Sequence, residues 1–252
     1  HAGNPFLLES SNCYEKTEKG QTGGLAAMKK FLFPVTSILF AFCLMITLLI
    51  TSVEAVVYWF PGYFEREYAK YNVTETVNMT MEDLLDVTDQ MMAYLRGDRA
   101  DLHVRTAIGG VEREFFNEKE IAHMEDVQGL FLSAMALRRG CGVLMIVLLI
   151  LFLVLKADFK RTVPKWISIG TGIFFGAAAI IAAVISTDFT RYFIMFHHMF
   201  FSNDLWILDP ATDLLINIVP EGFFRDTVFS ICCTFFLWAA AVLLLCLLPL
   251  CK

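Results

Sequence analysis

Four stretches of this chain are almost unbroken in apolar character, and the polar residues fall between them. The apolar stretches run over 31–53, 140–155, 166–187 and 227–250. A helix needs about 20 apolar residues to cross a hydrocarbon layer, and a stretch apolar on every face does not fit the narrow buried stripe of a soluble helix. The second stretch is short, but VQGLFLSAMAL ahead of Arg138 is also apolar. Because arginine side chains snorkel, that span lengthens upstream. The fold class is therefore mainly α, a polytopic membrane protein with four transmembrane helices.

Between the first two spans the hydrophobic period changes. Thr80 opens a helix with Asp83 as its capping-box partner, and Gly97 closes it. Met81, Leu84, Leu85, Thr88, Met91, Met92 and Leu95 form its apolar stripe. LHVRTAI and VEREF then alternate in character about Gly109-Gly110, which predicts a hairpin. Asn117 caps a further helix, with Glu120 as reciprocal partner, that runs through IAHMEDVQGLFLSAMAL toward the second span. Tyr58, Trp59 and Tyr63 fall where an interfacial aromatic belt belongs.

After the third span, Asp188 to Phe201 reads as an aromatic-rich helix near the interface, followed by a turn at Ser202, Asn203 and Asp204. Asp209-Pro210 predicts a short helix with Asp213 as reciprocal cap, and Pro220 stops it before the fourth span. The first and second outer loops together make a small α+β extracytoplasmic cap.

Charge gives the orientation. The segment 54–139 holds 16 acidic residues against 9 basic ones, whereas 156–165 carries Lys156, Lys160, Arg161 and Lys165 against Asp158 alone. The positive-inside rule places 156–165 in the cytoplasm with both termini, and the loops 54–139 and 188–226 outside. Arg138 and Arg139 oppose this but are outnumbered. Residues 1–27 precede an MKK that reads as a start, so they are expected to be an expression remnant or disordered tail ahead of a single membrane domain at 28–252. The first span mimics a signal peptide with a cleavage site at Val53-Glu54-Ala55, but it is too long for one and reads as an uncleaved anchor. The cysteines after the leader lie in or at the ends of spans, as small apolar residues do, and suggest no disulfide framework.

The chemistry is equally localised. No phosphate loop, paired CxxC, HExxH or G-x-S-x-G motif is present. The first, third and fourth spans hold no ionisable side chain except cysteine, which removes most support from transporter and channel readings. Histidines gather instead in the two outer segments. His123 shares a helix face with Glu120 and Asp126, an arrangement that can orient an imidazole but also describes an ordinary solvated face. His197 and His198 lie among phenylalanines, with Asn203, Asp204 and Trp206 close behind. Trp206, Phe196, Phe200 and Phe201 serve packing and interface anchoring, and they also suit an acyl-chain groove. An enzyme acting on lipid at the outer surface fits this better than a conduit.

EIAHMEDV together with FHHMFFSNDLWILDPATDLL resembles the bacterial lipoprotein intramolecular transacylases, which are four-span membrane proteins; the layout agrees from Met28 to Lys252. The resemblance implies a substrate lipoprotein whose N-terminal cysteine carries a thioether-linked diacylglyceryl group. It implies transfer of the acyl chain from the middle glycerol position to the α-amine of that cysteine, giving an N-acyl lyso-lipoprotein. It implies neither cofactor nor metal and no nucleic acid, only the diacylated lipoprotein and surrounding membrane phospholipid.

An α-ammonium titrates near 8, so a neutral histidine suits removal of its proton, while the ester oxyanion and departing alkoxide need donors. The expected assignment is His123 as base, oriented by Glu120 or Asp126, and His197 as donor, with His198 structural or a substitute. The two roles are interchangeable on sequence alone. Rival readings are Ser202 as an acyl-enzyme nucleophile, a zinc hydrolase on His123, His197 and a carboxylate, and a non-enzymatic accessory protein. Ser202 also fits a plain turn.

Overall fold

A computed structural model describes the backbone of residues 5–248 and the side chains of 28–248. Among these, four helices are long and apolar enough to span a membrane: α1 (Pro5–Glu54), α5 (Glu118–Val154), α6 (Thr162–Thr187) and α9 (Glu221–Leu247). α1 is the hub, packing against α5, α6 and α9, while α6 also packs against α9. Close approach of α1 and α6 requires Gly170, where a Cβ would lie 2.8 Å from that of Ala41. The leader's side chains lie outside the described residues, and its backbone is helical from Pro5.

The connections sort to the two ends of this bundle. The Lys29 ammonium donates to the Leu155 carbonyl at 3.0 Å, tying the base of α1 to the α5–α6 connection. Phe33, Phe152, Val163 and Ile167 cluster at the same end. At the far end stands the cap. Its first part contains a π-helical turn at Ala55–Trp59, α2 (Tyr63–Lys70), α3 (Val73–Val77), α4 (Met81–Arg96) and the hairpin β1 (Arg105–Ile108) and β2 (Val111–Glu114). Its second part is α7 (Phe189–Phe200) followed by the loop to α8 (Leu215–Ile218).

Local rules account for most of these elements. Thr80 accepts from the Asp83 N–H at 3.1 Å, and Gly97 ends α4 at φ +81°. The two strands pair antiparallel, with Ile108 opposite Val111 and both Gly109 and Gly110 at positive φ. Such a turn needs residues without a Cβ penalty. Asn72 and Asn78 also adopt left-handed backbone at helix ends, a conformation asparagine tolerates better than most residues.

Two expectations need correction. Tyr58 and Tyr63 are not belt residues. Tyr63 is buried against Phe64 and Phe223 with its hydroxyl 2.6 Å from that of Thr227, and Tyr58 donates to the Met92 carbonyl at 3.0 Å. Only Trp59 of the three is largely exposed, because the cap folds down over the other two. The helix expected at Pro210 forms a turn instead. The reciprocal bond from the Asp209 N–H to Asp213 is made at 2.8 Å, but helix appears only at α8. Separately, Arg138 pairs with Glu54 at the cap end of α1.

α5 is the element that matters most for function. Its 37 residues are nearly twice what a crossing needs. The surplus lies at the N-terminal end, where Glu118, Lys119, Glu120, Glu125 and Asp126 precede the apolar run. Met124 there belongs to the cap core with Leu84, Val87, Phe115 and Leu215, and Ile121 and Val127 pack against it. His123 is therefore held in the cap, outside the membrane-crossing part of the helix.

Candidate active site

The site is built from the first turn of α5 outward. Asn117 accepts from the Glu120 N–H at 3.0 Å, and Glu120 Oε2 accepts from the Asn117 N–H at 2.7 Å. Glu120 Oε1 accepts from the Leu215 N–H at 2.6 Å, so this nearly inaccessible carboxylate also fastens α8 to α5. Burial pushes its pKa up, against the backbone N–H groups that favour the ionised form. Both oxygens are thus engaged with backbone, and the expected orienting contact to His123 is not among its hydrogen bonds.

Asp213, also buried, takes the Asn117 amide at 2.9 Å and the Asp209 N–H at 2.8 Å, with Lys119 at 3.5 Å. Burial alone would raise Asp213, but the Asp209 N–H, the Asn117 amide and the Thr212 hydroxyl together hold it below the usual carboxylate range. Lys119 donates to the Ile207 carbonyl as well. The loop after α7 is by these bonds sewn to the start of α5, which brings the two histidine segments together.

His123 is 7% exposed and His197 is 8% exposed, with their ring centroids 6.3 Å apart. Phe201 packs edge-on to His123 at 5.3 Å and lies 5.7 Å from His197. His197 Nδ1 lies 2.7 Å from the Phe193 carbonyl. A carbonyl only accepts, so Nδ1 carries the hydrogen and the neutral ring keeps its lone pair on Nε2. His123 Nδ1, in contrast, is buried without a hydrogen-bond partner. Burial pushes His123 down to about 4, helped by neighbouring His197 and Lys119 and opposed by Asp126. His197 is also lowered, chiefly by burial, with the Phe193 carbonyl pulling the other way and His198 adding to the decrease. Both rings are therefore neutral near neutral pH.

Trp206 stacks on His197 at 4.8 Å with 28° between planes and meets His198 edge-on at 5.0 Å. His198 itself is exposed. Phe196 and Phe200 pack on each other at 4.7 Å on the outer face of α7, and Phe196 reaches the edge of His197 at 5.6 Å. Asn203 donates to Asp126 at 2.8 Å and accepts from the Leu205 N–H, so it bridges the two segments. Asp204 is exposed, and its backbone carbonyl accepts from Ile207. Ser202 is exposed in the bend. Among the described residues no three His, Cys, Asp or Glu side chains converge in a group that could hold a metal ion.

The structure thus joins His123, His197, Phe201 and Trp206, with Asp126 and Asn203 at the edge. Sequence reasoning missed the Phe193 carbonyl, Lys119 and the wider role of Asp213. Only the last left a signal, the Asp209-to-Asp213 spacing, and that pointed to a cap rather than a brace.

Comparison with known proteins agrees with this picture. A profile described as lipoprotein intramolecular transacylase Lit matches residues 38–224. The solved structure of the membrane-integral lipoprotein intramolecular transacylase Lit from Bacillus cereus is 21% identical over 85% of this chain and 92% of its own, with TM-score 0.66. Two further structures of that protein, each with one histidine substituted, are 20% identical with TM-scores 0.72 and 0.70. They cover 92% and 88% of this chain and 96% and 94% of their own. No curated protein matches the chain. With the family profile spanning most of the sequence, and four spans under a cap that draws two histidines together, the chain belongs to the lipoprotein intramolecular transacylase family.

Proposed function

We propose that this acyltransferase moves the acyl chain at the middle glycerol position of a diacylglyceryl-cysteine lipoprotein onto the α-amine of the same cysteine. The observation that carries the reading is the convergence of two buried, neutral histidines from separate segments at one end of a four-span bundle. The α-amine attacks the ester carbonyl carbon, and the carbonyl π pair moves to oxygen. The tetrahedral adduct loses a proton from nitrogen, the bond from carbon to the glyceryl oxygen breaks, and that oxygen receives the proton. One amide forms, one ester is lost, and no water is consumed.

The geometry favours exchanging the roles expected from sequence. His197 presents a bare Nε2 backed by a Nδ1–H bond to a carbonyl, which suits taking the proton and passing it to the glyceryl oxygen. His123, further depressed by burial, is the weaker base and suits donation from a neutral ring to the oxyanion. A base below 6.5 serves because the attacking nitrogen becomes strongly acidic as it bonds to carbon. Amine and ester belong to one substrate, so proximity does much of the work and no enzyme nucleophile is required.

The site faces the extracytoplasmic side in this reading, with the end carrying Lys29, Lys156, Lys160, Arg161 and Lys165 cytoplasmic. Pairing of Arg138 with Glu54 removes part of the opposing charge. A cysteine introduced as Lys160→Cys should resist an impermeant thiol reagent applied to intact cells; prompt labelling contradicts the orientation. The activity itself is tested on the purified protein with a diacylated lipopeptide. Intact mass does not change in an isomerisation, so the readout is tandem mass spectrometry. The acyl group should appear on the N-terminal amine, and a product with free amine and released fatty acid would indicate a hydrolase instead.

A further inference from the structure

Outside the spans, the described buried side-chain atoms without a hydrogen-bond partner are Glu67 Oε2, His123 Nδ1 and Trp206 Nε1. Glu67 lies in α2, away from the histidines. The other two both belong to residues packed around His197. We propose that the Trp206 indole N–H is a catalytic donor, forming a hydrogen bond to the carbonyl oxygen of the scissile ester that strengthens as that oxygen becomes an oxyanion. This rests on the acyl-transfer reading above and adds a residue to it.

The chemistry of the group fits the task. Indole Nε1–H donates and never accepts, and it does not ionise in any working range. Leaving such a group buried and unpaired costs about 1–3 kcal/mol, so an unpaired N–H in a built site calls for an acceptor that is absent until the ligand arrives. Two of the polar neighbours are already engaged. His197 Nδ1–H is bound to the Phe193 carbonyl, and Asp126 accepts from Asn203. The acceptor the substrate brings to this point is an ester carbonyl.

Position supports the same conclusion. Stacking on His197 holds the indole beside the ring that handles the proton, and His198 packs against it nearly perpendicular at 5.0 Å. The backbone around it is fixed, since Leu205 N–H is bound to Asn203, Ile207 N–H to the Asp204 carbonyl, and the Ile207 carbonyl to Lys119. A donor held this firmly needs no reorganisation when charge develops, which is the condition under which oxyanion donors contribute most. His123 also packs near His197, so two neutral donors would share the oxyanion. During the step, the ester C=O π pair becomes the oxyanion lone pair at Trp206 and His123. It re-forms C=O as the bond to the glyceryl oxygen breaks, and Trp206 keeps its own proton throughout.

The test uses purified full-length protein and a diacylglyceryl-cysteine lipopeptide, comparing wild type with Trp206→Phe. Phenylalanine keeps an aromatic face for His197 and lacks the N–H. The expected result is a fall in kcat of about 100-fold, the scale of losing one oxyanion donor. KM should stay within about twofold, and the pH at which the rate begins to rise should not move. A kcat loss below about tenfold overturns the proposal. So does a raised KM with kcat kept, which means acyl-chain packing, or a displaced pH limb, which means the indole acts only by tuning His197. Should the phenylalanine variant fail to give a cooperative melt, benzothienylalanine at 206 replaces N–H by sulfur in the same outline and is judged by the same limits. Absence of acyl transfer by wild type sinks the functional reading itself, whereas transfer by wild type with an undiminished variant sinks the tryptophan alone.

Discussion

The two histidines come from segments built in opposite ways. His123 sits on a 37-residue helix anchored in the membrane at one end and in the cap core at the other, with Glu120 and Asn117 bracing it a turn earlier. His197 sits on the 12-residue α7, whose Ile194, Met195, Met199 and Phe200 are exposed apolar side chains. Yet it is His197 whose ring is tethered, by its own helix carbonyl and by Trp206, and His123 whose ring nitrogen is left without a partner. The firmly held backbone carries the uncommitted ring, and the short helix with the exposed apolar face carries the committed one. A substrate that arrives through the membrane would meet α7 first, so the proton carrier must be oriented before the substrate adds its own contacts.

The largest effects should separate the two rings. His197→Ala is expected to lower kcat about 10³-fold and His123→Ala about 10²-fold, within the range for acid–base groups, with both proteins still folded by thermal melting. A reversed order would return the base to His123 and undo the comparison.

The pH dependence sharpens it next. Both rings are pushed below their ordinary value of 6.5, so the histidine limb of kcat/KM should lie below pH 6.5, with activity lost as pH falls through it. The same burial affects stability. With His123 at about 4 when folded and 6.5 when unfolded, the unfolded chain binds more protons between those values. Stability should therefore drop as pH falls below 6.5, by roughly 3 kcal/mol once pH is below 4. His123→Phe should flatten that part of the melting profile, and an unchanged profile would show that the ring is not held neutral by burial.

Glu120→Gln should cost about 1–3 kcal/mol, because one of two buried backbone N–H groups loses its carboxylate oxygen. Activity should survive at temperatures where the variant is folded, since Glu120 braces the loop through backbone N–H groups and is not hydrogen-bonded to His123. Smallest of all, Ser202→Ala and His103→Ala change exposed side chains and should leave stability within about 0.5 kcal/mol and activity near wild type. An acyl group trapped on Ser202 would replace direct transfer by an acyl-enzyme.

What the sequence revealed follows from how local each signal is. Asn117 with Glu120 and Gly109-Gly110 act within four residues of themselves and formed as expected, whereas Thr80 caps α4 through the Asp83 N–H but the Asp83 carboxylate accepts from the Thr80 hydroxyl and not from its backbone N–H. The continuation of the Asn117 helix into the second span was legible because no proline intervenes before Val154. Tyr63 and Tyr58 misled because their composition fits an interface equally well. What buries them is long-range packing against Phe223 and Met92, to which no nearby residue points. The site itself was half legible. Histidines at 123 and 197 stood out as polar groups without a reason, but choosing between His197 and His198 required the fold, which buries the first and exposes the second. Likewise Glu120 shares a helix face with His123, yet its oxygens are taken by a backbone amide 95 residues away in the chain, and spacing could not show that.

The central claim is that an acyl chain passes directly between two positions of one molecule, with two neutral histidines handling the proton and the oxyanion. A crossover experiment tests it directly. One lipopeptide carries an isotopically heavy middle-position acyl chain and a heavy peptide, a second carries neither, and the two are mixed in equal amounts with the purified protein. Tandem mass spectrometry should find the N-terminal amide acyl group heavy only on heavy peptide and light only on light peptide, with no fatty acid released. Mixed heavy–light products, or free fatty acid in proportion to turnover, would contradict the account.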